Sequence, residues 1–296
     1  MECKSIPLRR VYADCIFKCK KYMFKKRNKK QKRPPAHFII IFLLIIFLVS
    51  FIYLYRLYSQ RIWNYEGRFN VLDIEKLMLT SYYGAFGDEV VKHFLPESYI
   101  DSEEFGKYKL KDLVKLAETE KKREETLKKT ISEILGIPVD AASETLTFWD
   151  KAKIWYMRKQ IKRSPTELNL AKMPLYDEET MIDGTVIKRI NPQKIDFYLK
   201  DLFLEKEIRE ENFKIGVFNA SKIRGLAGKT ARIIENIGGK VVTIENYQNS
   251  KEGCRFETKE DSLNKKTLKR LRTIFLKCEV RIRDIDPRYE VVLIIN

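Results

Sequence analysis

The chain has 296 residues and a formal charge of +17, from 58 Lys and Arg against 41 Asp and Glu. Its 44% apolar residues, 12 glycines and 9 prolines exclude a collagen-like or mostly disordered chain. Two histidines, His37 and His93, exclude a His-rich metal site.

Residues 1–36 hold thirteen Lys or Arg against Glu2 and Asp14, a net of +11. The charge excess is therefore a basic tail and not a basic domain, and no nucleic-acid partner is expected. From Phe38 to Tyr55 run eighteen residues without a charge, spanning about 27 Å as a helix. Residues 37–56 read as an uncleaved transmembrane signal-anchor: no small-residue cleavage pattern follows, and Tyr55 leads directly into Arg56. The charge asymmetry puts the N-terminus in the cytoplasm and everything after about residue 56 outside, in a single-pass cell-membrane topology. Tyr53, Tyr55, Tyr58, Trp63 and Tyr65 are expected to form an interfacial aromatic belt on the outer side. Anionic lipid attraction accounts for the basic run 18–33 without a further partner. Cys3, Cys15 and Cys19 fall in the reducing compartment.

Residues 66–210 read as a mixed α/β domain. Phe69 and Val71, then Leu77 and Leu79, alternate as strands do. Leu110, Leu113, Val114 and Ala117 follow helical spacing, as do Leu127, Ile131, Ile134 and Leu135, and Gly136-Ile137-Pro138 stops the second helix. The run around Glu125 is most economically a solvated helix face. Thr147 and Asp150 form a capping box for a helix with Phe148, Ala152, Trp155 and Tyr156 on one face. Residues 163–185 are expected to be irregular, ending in the Asp183-Gly184 turn, and Asn191-Pro192 caps a helix carrying Ile195, Leu199, Leu202 and Phe203.

Residues 213–296 predict the order β-α-β-(β)-α-β-β, a small α/β sandwich. A strand over 213–218 meets the turn Asn219-Ala220-Ser221, a helix opens near Gly225-Leu226, and Gly238-Gly239 ends it. A second helix carries Leu268, Leu271 and Phe275, and strands over 240–245, 254–257, 279–283 and 290–295 complete the set. Cys254 and Cys278 are the two exported thiols and flank that helix. A disulfide closing the unit and a pair of unbridged buried thiols are the two alternatives.

Chemical motifs are sparse. Gly228-Lys229-Thr230 follows a strand and a loop, but a phosphate loop needs glycine where Ile223 stands, and Gly228 falls within the helical period. His93 is the sole exported histidine and no G-x-S-x-G elbow accompanies it. No metal site and no cofactor are expected.

The stretch Val217-Phe218-Asn219-Ala220-Ser221, Gly225-Leu226-Ala227, then Ile233, Ile234, Gly238 and Val241-Val242 resembles the LytR C-terminal domain. The segment before it resembles a degenerate LytR-CpsA-Psr (LCP) domain, through Pro96-Glu97-Ser98, Gly106 to Leu110, Leu135-Gly136-Ile137-Pro138-Val139, the helix from Leu146 to Trp155, and Asp183-Gly184. The resemblance implies a bacterial, envelope-facing protein with an LCP-like domain over 66–210 and a LytR C-terminal-like domain over 213–296. Active family members move glycopolymers from a polyprenyl-pyrophosphate carrier to the cell wall, using arginines and a magnesium-binding acid cluster. Here the family's Pro-Arg-Asp reads Pro96-Glu97-Ser98, and Arg68 and Arg123 are the only arginines between 68 and 136. A negative charge where a guanidinium clamps the pyrophosphate implies a non-catalytic relative.

The sequence thus predicts a membrane-anchored binding or scaffolding module in cell-wall or glycopolymer assembly, with no catalytic residues assigned. Its expected partners are the lipid bilayer and peptidoglycan, an envelope glycopolymer or another envelope protein. The candidate ligand-binding residues are Asn219, Ser221, Gly225 and Leu226, at a helix N-terminus that favours anions or polar ligands, unless Asn219 and Ser221 only form the turn and cap the helix. The alternative is an active transferase using Lys107 and Lys109 with Glu103 or Glu104.

Overall fold

The computed structural model describes residues 36–63, 67–83, 89–95, 98–102, 106–119, 123–160, 165–199, 201–247 and 253–296. The basic tail, the three N-terminal cysteines, Tyr65, Pro96, Glu97, Glu103 and Glu104 lie outside the described residues. The chain groups into two compact units, 1–56 and 57–296. In the first, helix α1 (Ala36–Ser59) presents exposed apolar side chains all round, and its stretch Ile40–Ser59 is long and apolar enough to cross a membrane.

The second unit is a mixed α/β assembly of three sheets. The first sheet holds β1 (Phe69–Asp73), β2 (Met78–Tyr83), β3 (Glu89–Phe94), β6 (Ala141–Ala142) and β7 (Thr166–Asn169), in the order β6-β1-β2-β3-β7. Its strands alternate as a sheet covered on both faces requires. Phe69, Val71, Tyr82 and Val90 pack with Trp63 against Ile154 and Met157 of α4 (Phe148–Gln160). Leu72 and Leu79 face the larger core, shared with α2 (Leu110–Thr119), α3 (Arg123–Leu135) and α5 (Pro192–Leu199).

A small second sheet, ordered β5-β4-β9-β8, combines β4 (Tyr99–Ser102), β5 (Gly106–Lys109), β8 (Tyr176–Thr180) and β9 (Val186–Ile190). The expectation of irregular structure over 163–185 is corrected in part. Strands β7 and β8 form there because they pair with β3 and β9, although their mostly exposed polar residues carry no alternating apolar signal. The Asp183-Gly184 turn does close the β8–β9 hairpin, with Gly184 at φ +80° and Asp183 accepting from the Thr185 amide. The membership of Trp63 in an aromatic belt is also corrected. The indole is 2% exposed, stacks on Phe69 at 4.6 Å and lies under the Lys153 ammonium at 4.0 Å.

Residues 214–295 build the third sheet from β10 (Lys214–Asn219), α7 (Leu226–Asn236), β11 (Lys240–Asn246), β12 (Arg255–Thr258), α8 (Lys266–Ile274), β13 (Glu279–Ile282) and β14 (Val291–Ile295). The spatial order is β11-β10-β14-β12-β13. Both β-α-β units pair their strands in parallel, and β14 joins them, parallel to β10 and antiparallel to β12. A half turn in the plane of the sheet exchanges the two units. Both helices therefore fall on one face, where Ala227, Ala231, Ile234, Leu268 and Leu271 share a core with Ile215, Val217, Val291 and Leu293. On the other face Gly216 leaves room for two rings: a Cβ there would stand 2.9 Å from Phe218 and 3.2 Å from Tyr289.

Charged groups fasten the third sheet to the rest of the unit. The Arg270 guanidinium, 1% exposed, donates to Glu205 Oε1 at 2.7 Å and to Asp140 Oδ1 at 2.7 Å. Asp140 also accepts from the Asn70 amide at 2.8 Å, and the Asn70 side chain donates to the Pro138 carbonyl. Glu205 begins α6 (Lys206–Glu211), and its amide donates to the Ile237 carbonyl at the end of α7. Glu211 accepts from the Lys266 and Thr267 amides, satisfying the first turn of α8. Beside this cluster, Arg232 binds Asp196 through Nε and donates to the Glu133 and Ile134 carbonyls that end α3. Gly136 follows at φ +66°, and a Cβ there would stand 2.5 Å from Asn236 Nδ2 and 2.7 Å from Arg232.

Burial pushes the Glu205 carboxyl above its ordinary range, opposed by Arg270 and reinforced by the charge of Asp140. Its second oxygen is buried without a hydrogen bond, so a proton there is favoured by the fold. Arg270 itself is held protonated: desolvation opposes the charge, but Asp140 and Glu205 outweigh it. With the folded pKa of Glu205 above the unfolded value near 4.5, the folded state holds the proton more tightly. This contribution to stability is fully present below 4.5 and is lost as pH rises through the folded value. Chemical denaturation of the full chain across that window should show Glu205→Gln losing the decline relative to the parent. A parent whose stability rises with pH relative to the variant contradicts this assignment.

Candidate functional site

A cleft of about 960 Å³ opens between α3 and the third sheet. Val139, Ile223, Leu226, Ile233, Phe275 and Leu276 give it an apolar lining, and the joined pair Cys254–Cys278 lies in its wall. The bridge closes the β12-α8-β13 unit across 24 positions, which constrains the unfolded chain by about 3 kcal/mol. It also fixes the segment Phe275–Lys277 against the start of β12, where the Glu279 amide donates to the Cys254 carbonyl.

Acids and bases share the rim in near balance. Arg123, Glu124, Glu125, Lys128, Lys129 and Glu133 stand on α3, with Glu144 beyond them and Lys229 and Lys277 on the opposite wall. Two pairs cross the opening: Lys229 Nζ lies 3.1 Å from Glu133 Oε2, and Lys277 Nζ bonds Glu125. The second pair is largely exposed on both sides, so water competes well for it and opening it costs little.

The turn leading into α7 shows how its residues are spent. Asn219 Oδ1 accepts from the Ser221 amide at 3.0 Å and from its hydroxyl at 2.6 Å. Asn219 Nδ2 donates to the Ile223 carbonyl, and Ser221 Oγ accepts from the Ile223 amide at 3.0 Å. Both side chains thus build the turn, and neither caps the helix. The N-cap is Gly225 at φ +80°, a conformation glycine adopts without strain, and no side chain caps there. The turn delivers Ile223 and Leu226 to the cleft, so the helix entry and the disulfide converge on one concavity.

The other sequence motifs are consumed by the fold. Gly228 lies inside α7, and Lys229 serves the rim pair with Glu133. Arg68 is 3% exposed, donates to Ser81 Oγ at 2.9 Å and stacks over Tyr83 at 4.6 Å. Arg123 pairs with Glu118 at 3.5 Å and Glu144 at 3.8 Å. Lys107 on the exposed strand β5 binds Glu179 at 2.8 Å, and this bond holds the Glu179 carboxyl below its usual range. Lys109 faces the Tyr99 ring at 5.7 Å. Among the described residues no three of His, Cys, Asp or Glu come together as a metal-holding group.

His93 is fully buried on β3 against Phe203, 4.8 Å between ring centres, with no hydrogen bond to either ring nitrogen. Burial, helped by the Arg68 charge, lowers its pKa to about 4. The imidazole is neutral at physiological pH and closed off from any solvent-borne substrate. Unfolding releases it to titrate near 6.5, so stability is lost as pH falls from that value toward 4, by about 3 kcal/mol at most. Denaturation of the His93→Phe variant across this range should show that acid-side loss removed. An unchanged slope contradicts the buried, neutral state.

The α3 wall was not distinguishable in the sequence from an ordinary solvated helix face. Its one signal is the placement of Leu127 and Ile131, which turns the core side inward and leaves the charges of Glu124, Lys128 and Glu133 facing the cleft. The chain matches no family model, no curated protein and no solved structure.

Proposed function

We propose that this chain is a single-pass, extracytoplasmic binding module of the bacterial envelope, with its basic tail in the cytoplasm. In this reading α1 anchors the protein and the cleft between α3 and the third sheet takes the ligand. The observation that carries the proposal is the cleft itself, an apolar lining within a rim of balanced charge. Such a rim does not concentrate polyanions, in contrast to a cluster of guanidiniums. It suits a polymer bearing both carboxylates and ammonium groups, as the stem peptides of peptidoglycan do. We accordingly name peptidoglycan as the ligand, and scaffolding of cell-wall or glycopolymer assembly as the role.

Two further observations support binding over transfer chemistry. His93 is buried and neutral, and Arg68 is engaged inside the fold with Ser81 and Tyr83. Neither is placed to act on a carrier pyrophosphate.

The test is co-sedimentation of the detergent-solubilised full chain with purified peptidoglycan, alongside binding to polyprenyl pyrophosphate with and without magnesium. Ile223 is 40% exposed, so Ile223→Glu leaves the core intact while placing a charge on the apolar lining. Peptidoglycan affinity should fall about tenfold or more, with the unfolding midpoint unchanged. Equal binding by parent and variant removes the cleft from the proposal. Magnesium-dependent capture and turnover of the pyrophosphate carrier replaces it with the transferase reading.

A further inference from the structure

Helix α4 carries a face that the fold leaves uncovered. Phe148 is 75% exposed, Trp155 58% and Tyr156 56%, and they lie together at a spacing of seven and eight residues. The opposite side, through Asp150, Ile154 and Met157, is buried against the first sheet. Three large aromatic groups in water on one short helix are an unfavourable surface for a protein in free solution.

The charge on α4 has one sign outward. Its one acid, Asp150, is 1% exposed, whereas Lys151, Arg158 and Lys159 are exposed. Lys159 lays its ammonium 3.9 Å from the centre of the Trp155 ring. Aromatic rings with lysines beside them match the layer of a bilayer where acyl chains meet anionic headgroups: rings enter the boundary and ammonium groups reach the phosphates.

Within the second unit, the start of α4 is bonded to the residues that follow α1. Asp150 accepts hydrogen bonds from the Ile62 and Trp63 amides, at 3.1 and 2.9 Å. Ile62 follows the last residue of α1, Ser59, by three positions, a reach of at most about 10 Å. Trp149 meets Tyr58 edge to face at 5.7 Å. The start of α4 is thus tied to the residues that leave the apolar helix.

We propose that the exposed face of α4 lies in the headgroup layer of the membrane that α1 enters, with Phe148, Trp155 and Tyr156 at the acyl boundary and Lys151 and Lys159 among anionic lipids. This rests on reading α1 as a membrane span and adds a second, peripheral contact to it. In this arrangement the outer aromatic belt is completed by residues about ninety positions further along the chain, in place of the buried Trp63.

The experiment uses the full chain reconstituted in vesicles of phosphatidylcholine and phosphatidylglycerol, with and without lipid brominated near the carbonyl end of its acyl chains. Trp155 emission should be quenched by the brominated lipid, so Trp155→Phe loses a large part of the quenching seen in the parent. Trp149→Phe, measured beside it, keeps the Trp155 component. If Trp155→Phe is quenched as strongly as the parent, the face is not in the bilayer and the proposal is overturned. Alkaline carbonate extraction separates the two readings. A chain stripped from the vesicles fails as a membrane span and takes the proposal with it, whereas a retained chain with unquenched Trp155 fails the proposal alone.

Discussion

One buried guanidinium holds the second unit together. Arg270 sits with two carboxylates, Glu205 and Asp140, drawn from two different loops, and each loop in turn is bonded to a strand or helix end. Without Arg270, two carboxylates would remain in a place water does not reach, a loss of about 3–5 kcal/mol for one buried pair. Arg270 meets Glu205 and Asp140 in one relative placement of α8, the start of α6 and the entry to β6, although the second Glu205 oxygen is left without a hydrogen bond. A sheet packed through apolar contacts alone has greater freedom to slide.

That placement also shapes the cleft. The cleft is a gap between two surfaces, the charged side of α3 and the rim of the third sheet, and its width is set by bonds made beside it. Arg232 binds the end of α3 to α7, and Arg270 binds the segment after α3 to α8. Of the two rim pairs that cross the opening, Lys277–Glu125 is exposed on both sides and weak, whereas Lys229–Glu133 is partly buried and the Arg270–Asp140 bond beside the cleft is buried. The cleft thus has one side fixed by a buried ion pair and, at Lys277–Glu125, a loosely fastened mouth.

The C-terminal elements were legible in the sequence because each carried its own punctuation. Gly225 and Gly238 bracket α7, and strands β10 and β14 are buried on both faces and read as continuous apolar runs. The capping box at Thr147 and Asp150 located α4, with Asp150 accepting from the Thr147 hydroxyl, but the aromatic spacing that marks one face of that helix did not say that this face is the exposed one. Strands β7 and β8 were lost because their side chains mostly face solvent, so pairing and not composition creates them. The site was harder still. Arg270 stands among Lys269, Arg272 and Lys266, and nothing in the sequence singles out which of four cations points inward. The turn at Asn219 was found, but its polar side chains proved to be the frame, and the neighbouring Ile223 and Leu226 are the residues that face the cleft.

The position of β14 sets an order of assembly. Its neighbours β10 and β12 belong to separate β-α-β units and make no ladder with each other; each pairs only with β14 on that side. During synthesis the unit around α7 emerges first and the unit around α8 second, and the cysteines of the latter both lie within that unit. The third sheet becomes one body only when the residues of β14 arrive and pair with both. Both halves therefore expose an unpaired strand edge for as long as the final stretch is delayed, and the rate at which residues 291–295 reach them limits that exposure.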